Sequence, residues 1–324
     1  MVTLAEEIIS GRRLTKSDHL NPLLEADIEV LSQGADRIRT ALCGNRADLC
    51  SIVNGRGGRC SENCKFCAQS AHYATDCNTY NFLPLHQIME DFTRAVGTGV
   101  DRYSIVTSGR TMEGQDLEEA LASYRAMHKA FPDMILCASH GLMSGEDLKR
   151  LKAAGVTMYH TNLETSQEYF PQICTTHTYK DKLQEIQRAK EAGLTVCSGG
   201  IFGMGETWQD RINMALELAE LEIGSIPLNF LIPIKGTPFA DKKRLEEEEI
   251  RRIVAIFRYI NPTAYIRIAG GRTVLSDGGK ILFQSGANAV LTGDMLTTVG
   301  NNTAQDKQML VSLGFAIKEK LRIL

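Results

Sequence analysis

The chain is poor in aromatic side chains: 6% of its 324 residues, with one tryptophan. Its charges nearly cancel, 36 Lys and Arg against 39 Asp and Glu, leaving a formal −3. Without a basic excess there is no electrostatic footprint for nucleic acid or an anionic membrane. No apolar run approaches the roughly 20 residues that cross a bilayer. Residues 1–8 are acidic and helix-patterned, unlike the basic start and apolar stretch of a secretory signal. Low-complexity segments and internal repeats are missing too. These absences together predict a globular protein of the cytoplasm. Against this plain background stand nine cysteines. In a reducing compartment thiols serve more readily as cofactor ligands than as disulfides.

Three of them form the run Cys60-Ser61-Glu62-Asn63-Cys64-Lys65-Phe66-Cys67. This C-x3-C-x2-C spacing is one ligand short of a structural zinc tetrad. Three thiolates on a cubane [4Fe–4S] cluster leave one iron open. An open iron can bind a small molecule and pass it an electron. The competing reading is a non-catalytic zinc knuckle completed by Cys77 or His72.

Helical spacing marks 1–9 and 23–42, the second through Leu24, Ile28, Leu31, Ile38 and Leu42. Beyond residue 45, short β-rich runs alternate with longer amphipathic ones. Eight candidate strands fall at 49–54, 101–107, 134–139, 156–162, 194–199, 225–232, 264–269 and 287–292. Amphipathic helices are expected at 85–98, 115–130, 144–154, 179–192, 207–221 and 245–260. Several stop at a glycine, such as Gly155 or Gly193. The acidic run at 246–249 reads as a solvated helix start. Eight β/α units predict an α/β fold, a (β/α)8 TIM-type barrel. It would span 45–324 as a single catalytic domain, with a helical N-terminal extension over 1–44. Pro227 is expected at a strand start.

The cysteine run follows the first strand, on the face where barrels carry active sites. Deeper along the strands, Cys50, Ser104, Cys137, Cys197 and Arg267 each interrupt an apolar stretch. Inward side chains converge in layers, so thiols from three strands can meet inside. Read singly, each cysteine is a small core residue. Read together they suggest a second iron–sulfur cluster, which would give Arg267 the anionic neighbour that burial demands. The stretch 197–207 crosses from strand to helix with four glycines that admit close approach of a planar ligand. Ile201, Gly203 and Gly205 are its expected cofactor contacts. Asn162 and Glu164 point to one side while the fourth strand lasts. The carboxylate suits ribose hydroxyls and the amide a urea-like group, while Thr165 or Ser166 equally suits a helix cap. Cys43 and Cys174 are expected bystanders, Cys77 a loop thiol, and His72 and His177 receive no role.

In these motifs the chain resembles the biotin synthase family of the radical S-adenosylmethionine (SAM) superfamily. The resemblance is carried by 60–70, 80–84, 159–166, 175–179, 197–206, 226–229, 235–238 and 265–267. It implies that Cys60, Cys64 and Cys67 hold a [4Fe–4S] cluster whose open iron chelates SAM. An electron donor such as flavodoxin or ferredoxin would reduce it, releasing a 5′-deoxyadenosyl radical that takes hydrogen from dethiobiotin. An auxiliary cluster would supply the sulfur that closes the biotin ring. Phe66 would pack near the adenine, and Glu164 would replace a family aspartate on the ribose. Asn162 and Asn229 would contact SAM or the ureido group of dethiobiotin. A homodimer is implied as well.

One departure stands out. In the family the auxiliary cluster, usually [2Fe–2S], is held by three cysteines and an arginine. Cys137, Cys197 and Arg267 match, but the third cysteine position is Ser104, and Cys50 stands on the neighbouring strand. The expectation is that Cys50, Cys137 and Cys197 hold the cluster. Arg267 would lie behind it or ligate weakly, and Ser104 is a further candidate. Three thiolates and an open iron suit a [4Fe–4S]-type centre, or [4Fe–5S] with an added sulfide. The nearest alternative is another radical SAM barrel, a maturase or a methylornithine-synthase-like enzyme, which needs no interior thiols.

Overall fold

The computed structural model describes residues 1–293 and 302–318. Three helices come first: α1 (Val2–Ile9), α2 (Asn21–Glu25) and α3 (Ile28–Cys43). Then follow β1 (Asp48–Arg56), α4 (Leu85–Gly97), β2 (Arg102–Thr107), α5 (Gly114–Ala130), β3 (Ile135–Ser139), α6 (Gly145–Ala153) and β4 (Val156–His160). The chain continues through α7 (Phe170–Ile173), α8 (Tyr179–Glu191), β5 (Thr195–Cys197), β6 (Gly200–Phe202), α9 (Trp208–Glu220) and β7 (Ser225–Phe230). The last elements are α10 (Glu247–Ile260), β8 (Tyr265–Ile268), a 3-10 turn (Arg272–Val274), α11 (Lys280–Phe283), β9 (Ala289–Leu291) and α12 (Thr303–Ser312).

Among the described residues all strand pairs are parallel, and the sheet closes because β7 pairs with both β5 and β6. These two short strands share one position, broken at Ser198 and Gly199, so the nine strands among the described residues make an eight-position barrel. Pro227 lies inside β7 rather than at its start, pairing with Arg267 on one side. Its other side faces the break, so its missing N–H interrupts no continuous ladder. Gly199 is obligatory there: a Cβ would stand 1.9 Å from the Pro227 carbonyl oxygen.

The expected helix from residue 23 divides instead. Ala26 is extended, and the Asp27 carboxylate accepts from the N–H groups of Glu29 and Val30, restarting the helix as α3. Helices α8 and α9 both begin with reciprocal caps, Thr178 with Asp181 and Thr207 with Asp210. The helices' apolar faces, including Leu31, Ala35 and Ile38 of the N-terminal extension, merge into one core around the barrel.

Inside the barrel, register orders the side chains. Cys50 pairs with Arg102 and Arg102 with Ile135. Moving two barrel positions along the register and two residues toward the strand C-termini takes Cys50 to Cys137. The same step leads from Cys137 to Cys197, then to Arg267, then back to Cys50. A path that closes this way is one layer of a barrel, filled from alternate strands. The layer above it, nearer the mouth, follows by the same step: Ser104, His160, Pro227 and Leu291.

Candidate active site

Both layers line a cavity of about 380 Å³ that opens toward the β-strand C-termini. Its mouth is roofed by the loop between β1 and α4, which carries the cysteine run. The loop is cinched where the Cys60 N–H donates to the Gln69 carbonyl (3.0 Å) and the Ala71 N–H to the Cys60 carbonyl (2.8 Å). The segment after α7 clamps it from outside. Asn63 binds Thr175 and Thr176, the Lys65 N–H donates to the Ile173 carbonyl (2.9 Å), and Glu62 meets His177 Nδ1 (2.6 Å). Cys67 lines the main cavity, and Cys60 and Cys64 line an adjoining one of about 120 Å³. Phe66 lies between them and lines both.

All nine cysteines are free thiols. A zinc ion with Zn–S bonds of 2.3 Å would hold its sulfurs about 3.8 Å apart. Cys60, Cys64 and Cys67 do not gather so tightly. Among the described residues, the group with three ligand atoms within 4.8 Å is Cys64, Cys174 and His177. His72 instead binds the Ser61 carbonyl, and Cys77 turns to the Asn78 carbonyl. The three loop thiols are thus not all within 4.8 Å of one another, a wider spread than one zinc ion would hold.

On the opposite wall, Glu164 follows the end of β4 in a left-handed conformation, φ 71°, a strained state for a residue with a side chain. Its carbonyl accepts from the Ile201 N–H, and Gly200 allows that contact, since a Cβ would lie 2.3 Å away. Asn162 reaches Glu164 Oε2 (3.3 Å) and accepts from the Gly199 N–H (3.1 Å). Burial raises the Glu164 carboxyl, opposed by Lys182 and His160. Asn229 braces the backbone at Gly200 and Gly270. Asn162, Glu164, Ile201 and Asn229 line the main cavity. Gly203 and Gly205 lie elsewhere. Their N–H groups, with that of Met204, are taken by the Glu206 carboxylate, itself held by Arg211. The glycines expected to touch a cofactor thus form a turn braced on Glu206.

At the floor, burial pushes the Cys50 thiol up to about 11 and raises Cys137 and Cys197, with Arg267 opposing all three shifts. The anionic neighbour expected for Arg267 is a side chain. Asp48, two residues before Cys50 on the same strand face, binds both Arg267 and Arg102. Arg267 also donates to the carbonyls of Asp48 (3.3 Å) and Val290 (3.0 Å). Two guanidiniums against one carboxylate leave a net positive charge beneath the three thiols. Among the described residues, Ser104 Oγ is buried without a hydrogen-bond partner. A hydroxyl in that state costs roughly 1–3 kcal/mol. A group in the cavity that accepts its proton would remove the cost, so these side chains fit an anionic cluster.

Several residues of the site escaped the sequence reading. Cys174, expected to be a bystander, accepts from the Cys64 thiol at 3.7 Å, which draws Cys174 down and Cys64 up. His177 is clamped between Cys174 and Glu62. His160, Asp48 and Arg102 also belong to the site. Only the inward strand phase could have flagged the last three, and their partners depend on register between distant strands.

A closed parallel barrel with a three-cysteine loop at its mouth defines the class. Residues 56–218 match the Radical SAM superfamily, and residues 227–316 match the Biotin and Thiamin Synthesis associated domain. The fold is shared with methylornithine synthase (TM-score 0.84, 19% identity, 98% of each chain). It is shared too with a maturase of the [FeFe]-hydrogenase (TM-score 0.79, 15% identity, 97% of this chain and 75% of that one). A biotin synthase of Clostridium beijerinckii is 58% identical over 98% of this chain and 100% of its own length. One of Alkaliphilus metalliredigens is 55% identical over 96% and 98%. The chain belongs to the biotin synthase family and is an enzyme of the radical SAM superfamily.

Proposed function

We propose that the enzyme inserts sulfur into dethiobiotin, with Cys60, Cys64 and Cys67 holding the [4Fe–4S] cluster that binds SAM. Cys50, Cys137 and Cys197 hold a separate auxiliary centre of [4Fe–4S] type, with [4Fe–5S] as its sulfide-loaded form. When bound, the first centre with SAM supplies radical chemistry on unactivated C–H bonds, and the second supplies sulfur. The chain supplies placement. Glu164 and Asn162 offer a carboxylate and an amide to the SAM ribose and the ureido group, and Asn229 braces the same wall at Gly200 and Gly270. Phe66 and Ile201 give apolar surfaces for the adenine. Arg267, committed to Asp48 and two carbonyls, acts through charge behind the thiols rather than as a ligand. The closed barrel keeps water from the reacting carbon. Flavodoxin or ferredoxin is the proposed electron donor, a homodimer the proposed assembly, and the cytoplasm the proposed compartment. The described residues include no helix long and apolar enough to cross a membrane.

The observation that carries this reading is the single layer formed by Cys50, Cys137, Cys197 and Arg267. Two thiols from the family pattern and the displaced third occupy one level of the barrel. Mössbauer spectra and iron counting on anaerobically purified protein test it. Cys50→Ser should keep the SAM cluster and SAM cleavage while losing the auxiliary iron and biotin formation. A full auxiliary cluster in that variant would sink the ligand assignment. Wild-type enzyme that makes deoxyadenosine but no biotin, given SAM, dethiobiotin and reductant, would sink the activity.

A further inference from the structure

Six buried side-chain atoms make no hydrogen bond among the described residues: Glu6 Oε1, which is ion-paired with Arg37 Nε at 2.6 Å instead, Asn54 Oδ1, Ser104 Oγ, Ser198 Oγ, Arg251 Nε and Arg272 Nε. Of these six residues, Ser104 alone lines the main cavity. It is 4% exposed and stands on β2, between the strands that carry Cys50 and Cys137. Its level lies directly above the thiol layer, toward the mouth. The other members of that level are His160, Pro227 and Leu291. Anything passing from the thiol layer to a molecule beside Asn162 and Glu164 crosses the Ser104 level.

We propose that the Ser104 hydroxyl donates the hydrogen bond that holds the transferable sulfide of the auxiliary centre. This rests on the assignment of Cys50, Cys137 and Cys197 above. A sulfide is an acceptor, and a hydroxyl with no acceptor among the described residues can donate to it. The residue type matters as much as the place. A thiolate at 104 would be a soft ligand competent to close an open iron. A hydroxyl is a poor competitor for that iron, yet it can still hold a sulfide bound there. Moving the third thiol to Cys50 therefore leaves the exit level with a donor in place of a ligand.

The test uses anaerobically reconstituted full-length enzyme and counts iron and acid-labile sulfide per chain, alongside Mössbauer spectra and single-turnover biotin yield. Ser104→Ala should keep the iron of both centres, lower the labile sulfide by nearly one per chain, and reduce single-turnover biotin yield in proportion, by roughly tenfold, the occupancy effect of one lost hydrogen bond. Ser104→Thr, which keeps the hydroxyl, should keep the sulfide. Ser104→Cys should load the same iron, hold no extra sulfide, cleave SAM and make no biotin. Ser104→Ala with wild-type sulfide content and yield overturns the proposal. If Cys50→Ser retains the auxiliary iron, the underlying ligand assignment has failed instead, so the two failures are distinguishable.

Discussion

His140 shows how one side chain behind the site can report on pH. It is fully buried at the end of β3. Its Nδ1 meets Thr107 Oγ1 (3.0 Å) and its Nε2 meets the Tyr124 hydroxyl (2.9 Å), which also reaches the Cys137 carbonyl (3.2 Å). Burial, with Arg56 adding repulsion, brings the imidazole down to about 3. The unfolded chain binds this proton near pH 6.5 and the folded chain near 3. Between those values the unfolded state carries more protons, so stability falls as pH drops through that window. The slope from one such group approaches about 1.4 kcal/mol per pH unit. Anaerobic denaturant unfolding between pH 7 and 5 should show a shallower acid-side loss for His140→Gln than for the wild type. His160, lowered to about 4 by burial, adds to the slope in the same sense, while Glu164, Glu185 and His177, all raised in the fold, oppose it in both proteins. Coincident slopes would mean that His140 is charged in the fold.

At the scale of elements, the β5–β6 junction leaves the backbone little freedom. Gly199→Ala would drive a methyl into the Pro227 carbonyl, 1.9 Å from the added carbon, so β7 must shift. The Gly199 N–H bound to Asn162 would move with it. A cost of about 2 kcal/mol or more is expected, read as a lower unfolding midpoint together with a higher KM for SAM or dethiobiotin. An unchanged midpoint would show the break to be pliable. Most elements were legible because period and length agreed. The eight strand positions carried β-rich runs and the six long helices an apolar face. Helices α7 and α11 span four residues each, too short to show a period, and the α3 start was hidden until Asp27 emerged as a cap. The cysteine spacing announced the mouth of the site, and inward phase announced its floor. What stayed hidden needed register or a loop contact: Asp48 between two arginines, Cys174 against Cys64, and Glu206 taking the amides of a glycine turn.

Across the whole molecule, the N-terminal helices are part of the barrel's outer core. Arg251 of α10 grips Glu29 with two hydrogen bonds. Arg258, fully buried, donates to the carbonyls of Gly286, Asn261, Pro262 and Ala264 and to Asn288, and touches Cys43 at the end of α3. That contact gives Cys43 a place in the packing. The closest approach is at Gly34 in α3, where a Cβ would fall 1.9 Å from the Tyr259 hydroxyl oxygen and 3.0 Å from its Cζ. Glycine inside a helix normally costs about 0.5–1 kcal/mol relative to alanine, so an isolated α3 would gain from Gly34→Ala. In the intact protein the buried Tyr259 cannot retreat, and overpacking of this kind costs about 1–3 kcal/mol. Gly34→Ala should therefore lower the thermal midpoint by a few degrees. Adding Tyr259→Phe should recover part of the loss, because the atom at 1.9 Å is gone while Cζ remains. Iron content and single-turnover yield should stay near wild type, since neither residue lines the cavity. A stabilised Gly34→Ala protein would show that α3 rides on the barrel loosely enough to move aside, and that the extension is no part of the unit that holds the site.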